Sequence, residues 1–442
     1  MIITKALYGL KSSGAAWRAK LAETLRGLGY TPTESDPDVW LRNGTKPCGT
    51  VYYMYMLVYV DDILHVSHDT SVDMRKLGEI YRLKDGSVGP LDRYLGANVD
   101  KVQLPDGRNV WSTSCEEYLR GAVKNVDETL KESDTALKSF GDGHRPYPGT
   151  YRPELEVSEE LNEEGLNRYQ QLIGILRWAI ELGRIDIYTE VSCLSQHLCL
   201  PREGHLNAIY KIFRYLQKNL TKIPGRLVFD PKYEPTDERI FEGSARRQEE
   251  WKDFYPDAAE SMPRRMPEPL GNPVIIKCYV DANHAGNLVN RRSHTGIIIY
   301  INNAPIIWFS KRQNTVESSS FGSEFVALRI ATEMIEALRY KLRTFGVVID
   351  GPADVFCDNK SVVTNSSVPA SVLNKRHNAI CYHRVREAQA AGIIRVGWIP
   401  GEFNLADLFT KTTMPGNARN GMVENIFCNQ AAILPVAKKV VT

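Results

Sequence analysis

The chain has 442 residues, a formal net charge of +2, 43% hydrophobic residues and 24% charged residues. That length calls for two or three domains, each able to bury a core, and the composition is that of a folded globular chain rather than a disordered one. A charge so near zero excludes a uniformly basic nucleic-acid binder, so any cationic groove has to come from local clustering.

The cysteines (Cys48, Cys115, Cys193, Cys199, Cys278, Cys357, Cys381 and Cys428) are scattered without a CxxC pair, and no signal peptide opens the sequence. Reduced thiols and a cytoplasmic or nuclear setting are the expectation. The longest apolar runs, near residues 51–60 and 297–301, fall well short of the ~20 residues that span a bilayer.

In chain order, the spacing of Trp17, Leu21, Leu25 and Leu28 predicts a helix over 15–29, stopped by Gly29. An apolar strand over 51–60 follows and ends in Asp61-Asp62, with Ile63-Leu64-His65-Val66 as its hairpin partner. Two adjacent carboxylates repel each other, and an apolar setting raises the cost of keeping both charged. A divalent cation relieves that cost, and magnesium takes hard oxygen ligands together with substrate phosphates. A hairpin with a solvated Asp-Asp tip is the plainer reading of the same residues. A helix near 69–83 and short strands near 93–111, around the turn Pro105-Asp106-Gly107, complete this stretch.

The block Lys5-Ala-Leu-Tyr-Gly-Leu-Lys11 to Trp17 resembles the "KALYGLKQSPRAW" block of copia-type LTR-retrotransposon reverse transcriptases. Ser35-Asp36-Pro37-Asp38, Tyr59-Val60-Asp61-Asp62 and Tyr94-Leu95-Gly96 resemble further blocks of that family, in its order. Ser12 and Gly14 depart from the commonest Gln and Pro. The resemblance implies a polymerase palm over 1–114, with Asp61 and Asp62 as metal-binding catalytic residues and Lys11 against nucleic acid. It also implies a third catalytic Asp and the fingers on chain preceding this block. From Met1 as the start, half a metal site and no primer extension are expected.

Two further helices are predicted, from about Asn162 to Leu182 and from about Arg202 to Leu220. Arg184-Ile185-Asp186 between them resembles the family's "RPDI" block, so 115–230 is assigned to a largely helical thumb or connection. Residues 231–272 mix Pro, Glu and Arg and read as a linker or surface insertion.

From Pro273 the pattern becomes α/β. A strand from Val274 ends at Asp281, a hairpin covers Gly296 to Ser310, and a long helix from about Glu317 to Phe345 carries Glu324. Asp354 to Cys357 is a strand ending at Asp358, a basic helix and the strand Ile393 to Ile399 follow, and a short helix carries Asp407. Each carboxylate alone reads as a solvated surface acid. The four together resemble the ribonuclease H fold and its Asp-Glu-Asp-Asp set. The local motifs are copia-like: Asp281-Ala282 with Arg291-Arg292-Ser293, Ser323-Glu324-Phe325, Cys357-Asp358-Asn359 and Ala406-Asp407. This implies a ribonuclease H-like domain over 273–415, a mixed sheet flanked by helices. Asp281, Glu324, Asp358 and Asp407 would hold two Mg²⁺ or Mn²⁺ ions roughly 3.5–4 Å apart. Cellular ribonucleases H carry a mobile His before the last Asp; here Gly397 to Glu402 contains none, and Glu402 reads as a surface acid. His377, Cys381 and His383 lack a fourth ligand for zinc. Lys375, Arg376, Arg384 and Arg386 among them read as a basic helix facing hybrid phosphates.

The whole is thus expected to be an α+β and α/β multidomain chain, the C-terminal part of a copia-type Pol polyprotein without its protease and integrase, closing in a tail over 416–442. Its partners would be RNA–DNA hybrid and primer–template, in cytoplasm or nucleus, or in a virus-like particle if the parent element is active. The competing expectation is a decayed, non-catalytic remnant that binds nucleic acid.

Overall fold

The computed structural model describes residues 10–220, 225–241, 248–373 and 376–428. The chain divides into two units: residues 1–91 with 261–274 and 336–350, and residues 92–260 with 275–335 and 351–442.

In the first unit the helix Ser13–Gly27 buries Leu21 and Leu25 against Trp40, Met56 and Leu77. It ends where Gly29 takes φ +86°: the Gly29 amide donates to the Arg26 carbonyl and the Tyr30 amide to the Leu25 carbonyl, each at 2.9 Å. That left-handed exit satisfies two of the helix's orphan carbonyls. Four antiparallel strands follow in sequence order, Thr31–Pro32, Val39–Thr45, Val51–Tyr59 and Asp62–Val66. Tyr59 pairs with Asp62 across a two-residue turn, and Val60 sits at φ +57°. A β-branched residue avoids that region. The Trp17 indole N–H holds the turn by donating to the Val60 carbonyl at 2.7 Å.

The second unit opens with a four-stranded sheet of Arg93–Tyr94, Ala97–Gln103, Asn109–Ser114 and Arg226–Phe229. The last strand explains why residues 92–114 belong here rather than with 1–91: Ser112 pairs with Val228 and Thr113 with Leu227. Helices Glu116–Glu132, Glu163–Glu181, Tyr188–Leu194 and Glu203–Lys218 pack around Leu119, Leu172, Leu176, Ile209 and Phe213. Between them Arg184 forms a fully buried bidentate pair with Asp186, both contacts 2.9 Å, and the Tyr215 hydroxyl donates to the same carboxylate at 2.8 Å.

The same unit contains a five-stranded mixed sheet. Its strands are labelled β1 (Ile276–Asn283), β2 (His294–Ile301), β3 (Ala304–Arg312), β4 (Ala353–Cys357) and β5 (Ile394–Trp398), and their order is β3-β2-β1-β4-β5. β1, β2 and β3 are antiparallel neighbours, whereas β1–β4 and β4–β5 are parallel. Strand order therefore reverses at β1/β4. A sheet that changes direction there opens a crevice at the strands' carboxyl ends. The long helix α1 (Ser320–Thr344) and the helices Lys360–Ser367 and Ala379–Ala390 supply the crossovers. Two-sided burial explains the Ile297-Ile298-Ile299 run.

Two stretches without a core role in the sequence reading have one here. Within 231–272, Phe241 and Trp251 are buried, and Phe241 packs on Phe356 of β4. The expected tail begins as a helix, Gly416–Cys428, which buries Val423, Ile426 and Phe427 in the core beneath the sheet. Its Arg419 lies 3.7 Å from Glu190.

The Arg184–Asp186 pair yields a stability prediction. Removing one partner of a buried pair strands the other charge, at a cost of about 3–5 kcal/mol. Asp186→Ala should lower the urea midpoint of the second unit's unfolding accordingly. A midpoint within error of the parent would contradict a structural role for the pair.

Candidate active site

The β1–β4 pairing positions the first two carboxylates. Lys277 pairs with Asp354 and Tyr279 with Phe356; continued two residues, that register sets Asp281 beside Asp358. Asp281 lies inside β1 rather than at its end, while Asp358 follows β4 directly. Glu324 points in from the first turns of α1. Asp407 lies in a 3-10 turn, Leu405–Phe409. Asn404 anchors that turn: its side-chain amide donates to the Val280 carbonyl at 3.0 Å, and its oxygen accepts from the Ala406 amide at 3.2 Å. Gly296 of β2, opposite Asp281, lets the turn close. A Cβ there would stand 2.6 Å from the Ala406 carbonyl oxygen and 2.7 Å from Thr410 Cγ2.

Asp281, Asp358 and Asp407 offer ligand atoms within 4.8 Å of one another, and so do Glu324, Cys357 and Asp358. Asp281, Glu324 and Asp407 are buried. Burial first, then the charges of Asp281 and Asp358, push the Glu324 carboxyl well above the usual carboxylate range. Burial and Asp281 also raise Asp358, and they raise Asp407 to about 7. Glu324 Oε2 is buried without a hydrogen-bond partner among the described residues. A buried oxygen with nothing to accept from, among carboxylates that resist ionising together, fits a divalent cation. The donor set suits a hard ion such as magnesium. Burial keeps the Cys357 thiol protonated, so the oxygens are the ligands available.

Lys411 is a site residue that the sequence reading missed. Its ammonium lies 2.5 Å from Asp407 Oδ1 and 3.8 Å from Asp281 Oδ2, and the Thr410 hydroxyl donates to Asp281. Spacing of four from Asp407 was the available signal.

The other expected residues fare differently. Asp61 and Asp62 are exposed on their hairpin, and neither belongs to a three-ligand group among the described residues. Lys11 and Arg376 are exposed and Arg384 is half-buried; Lys375 lies outside the described residues. The reading of Arg386 as a phosphate contact is corrected. Its side chain is buried, donates to the carbonyls of Asn365, Val368 and Pro369, and stacks 4.8 Å from the Trp251 ring. A guanidinium occupied in that way is closed to solvent phosphate. Glu402 is exposed in the turn Gly401–Phe403. His383 meets the Tyr255 hydroxyl at 2.7 Å and His377 stands 3.8 Å from Glu317, and they form no shared metal group among the described residues.

Two predictions follow from this geometry. With Asp407 raised to about 7, the metal-free folded state holds a proton that the unfolded chain has released above about pH 4. Stability in EDTA should therefore decline as pH rises from about 4 to about 7. Asp407→Asn should remove part of that decline in a thermal-melting series, and equal slopes for the two proteins would contradict it. Gly296→Val should displace the 405–409 turn and weaken Mn²⁺ binding at least about tenfold by calorimetry while the far-ultraviolet dichroism is kept. Unchanged affinity would show that the turn does not depend on the glycine.

A scan of family models finds no match to the chain. Among curated proteins it is 26% identical over 412 residues to the retrovirus-related Pol polyprotein from transposon RE1 of Arabidopsis thaliana, covering 92% of this chain and 24% of that protein. It is 26% identical over 414 residues to the Pol polyprotein from transposon TNT 1-94 of Nicotiana tabacum, covering 92% and 27%. It is 22% identical over 421 residues to a truncated Ty1-A Gag-Pol polyprotein of Saccharomyces cerevisiae, covering 92% and 30%. Solved structures similar to part of the chain include an N-terminal RNase H domain from Mycobacterium tuberculosis, 16% identical with TM-score 0.25, covering 34% of this chain and 98% of that one. Another is the RNase H1 of Halobacterium salinarum, 17% identical with TM-score 0.25, covering 31% and 96%. The chain spans about a quarter of the length of the first curated relatives it matches. Its homologues along 92% of its length are copia-type retrotransposon Pol polyproteins of plants and yeast.

Proposed function

We propose that the second unit hydrolyses the RNA strand of RNA–DNA hybrids with divalent metal, as the ribonuclease H part of a retrotransposon Pol protein. The observation that carries this reading is the convergence of Asp281, Glu324, Asp358 and Asp407 from two strands, a helix and a turn, with Glu324 Oε2 left unpartnered among the described residues. When bound, a pair of Mg²⁺ ions supplies an activated water and stabilises the leaving oxygen of the phosphodiester. Asp281 and Asp358, adjacent at the β1/β4 switch, together with Glu324 and Asp407 would hold the ions. Thr410 fixes the Asp281 carboxylate by donating to it. Lys411 offsets part of the acidic charge, and it would have to leave Asp407 for the fourth carboxylate to ligate.

For the first unit the proposal is narrower. The family's polymerase chemistry needs more than the Asp61–Asp62 pair, and the described residues supply no third ligand near it. Primer extension is therefore not assigned to the described part of this unit.

The Lys411 contact favours a second reading, a domain that binds hybrid without cutting it, with the lysine standing in for metal. Incubating the full chain with a hybrid labelled on both strands separates the two. With Mg²⁺ the RNA should be cut and the DNA left whole, and EDTA should stop the reaction. Losing a ligand that stabilises transition-state charge by several kcal/mol should slow Asp281→Asn and Asp358→Asn roughly a thousandfold. Asp407→Asn should be milder, because Lys411 already offsets that carboxylate. Tight hybrid binding with no metal-dependent cleavage by the unaltered chain would support the second reading instead.

A further inference from the structure

Beside the acidic site lies a cleft of opposite charge. Its cavity volume is about 40 Å³, and Arg152, Arg292, Arg312, His197, His294 and Glu154 are among its walls. The three guanidinium groups come from separate places: Arg152 from the segment before Pro153–Leu155, Arg292 from the β1–β2 loop and Arg312 from the end of β3. All three are half-buried, and none forms an ion pair among the described residues. Glu154 is the carboxylate in the walls, and its Oε1 accepts from the Leu288 amide at 3.2 Å. Burial pushes His197 and His294 down to about 4, so both are neutral at pH 7. Three cations therefore face one anion. Burial and the adjacent Arg292 charge also lower the pKa of Arg312, which marks a cation short of counter-charge.

The cleft is joined to the acidic site through Asn283 and Thr410, which line it. The Asn283 side-chain amide donates to the Thr410 carbonyl at 3.3 Å, and the Thr410 hydroxyl donates to Asp281. An anion held by the arginines would thus lie next to the strand crossing Asp281. Guanidinium groups in partly desolvated clefts bind phosphate strongly, with fork geometry and charge-assisted hydrogen bonds.

We propose that this cleft receives one backbone phosphate of the RNA strand, neighbouring the phosphodiester at the acidic site, and so sets where along the strand the cut falls. The proposal rests on the hybrid-cleaving reading above. It assigns to Arg152, Arg292 and Arg312 a positioning role distinct from that of the metal ligands.

The test is a scan with neutral methylphosphonate linkages, placed one at a time in each strand of a hybrid. Binding is measured to the full chain carrying Asp358→Asn, so that cleavage is slow. One RNA-strand position should weaken binding about tenfold, and in the added Arg312→Gln background the same substitution should cost less than twofold. Arg312→Lys, which keeps the charge, should restore part of the dependence. In otherwise unaltered protein Arg312→Gln should lower the salt slope of binding by about one and shift the cleavage position. A uniform scan, or a sensitive position in the DNA strand alone, would overturn the cleft assignment while leaving the hybrid-cleaving reading intact. No hybrid binding at any position would overturn both.

Discussion

The site depends on one pairing, the parallel alignment of β1 with β4. It places Asp281 and Asp358 side by side at the point where strand order reverses. Two carboxylates held there by the backbone cannot move apart to relieve their repulsion. Burial removes the water that would screen them, and Glu324 and Asp407 add to the same field. The fold therefore carries a standing electrostatic cost at this place. Protons, the Lys411 ammonium or a metal ion can each relieve it. Under the proposed function, such a frame would hold its charges in place before a phosphodiester arrives, which is the electrostatic preorganisation that hydrolysis of a charged ester needs.

Much of the remaining second unit supports that frame. Gly296 and Asn404 bring the Asp407 turn against the sheet, one by having no side chain and the other by capping. The Gly416–Cys428 helix supports the sheet from below with Val423, Ile426 and Phe427. Arg386 ties Asn365, Val368 and Pro369 to the Trp251 ring, so the helix Ala379–Ala390 and part of the 231–272 segment are held together by a buried cation. These contacts bury one arginine, Arg386, and fix the helices that flank β4 and β5.

The acidic quartet was legible through its resemblance to the ribonuclease H set and the copia-like motifs around each carboxylate; in the structure Asp281 and Asp407 group with Asp358, and Glu324 groups with Asp358 as well. The helices Glu163–Glu181 and Glu203–Lys218 were legible because their apolar spacing is strong. Arg386 was misread because a basic residue on a helix is the same letter whether it faces solvent or spans an interior gap; its partners are backbone carbonyls, which no sequence pattern marks. Residues 92–114 were placed with their chain neighbours because strand pairing to Arg226–Phe229 acts over more than a hundred residues. Trp251 and the Gly416–Cys428 helix were read as peripheral because single aromatics and a weakly patterned helix give little periodic signal. The basic cleft was invisible for a related reason: Arg152, Arg292 and Arg312 are far apart in sequence and meet only once the sheet forms.

The central claim, that the four carboxylates make one divalent-cation site, is tested most directly by a crystal structure of the chain with Mn²⁺, located by anomalous scattering. The account predicts manganese between Asp281 and Asp358, with oxygen ligands from Glu324 and Asp407 and the Lys411 ammonium displaced from Asp407. Anomalous density absent from the quartet, with Lys411 still paired to Asp407, would contradict it.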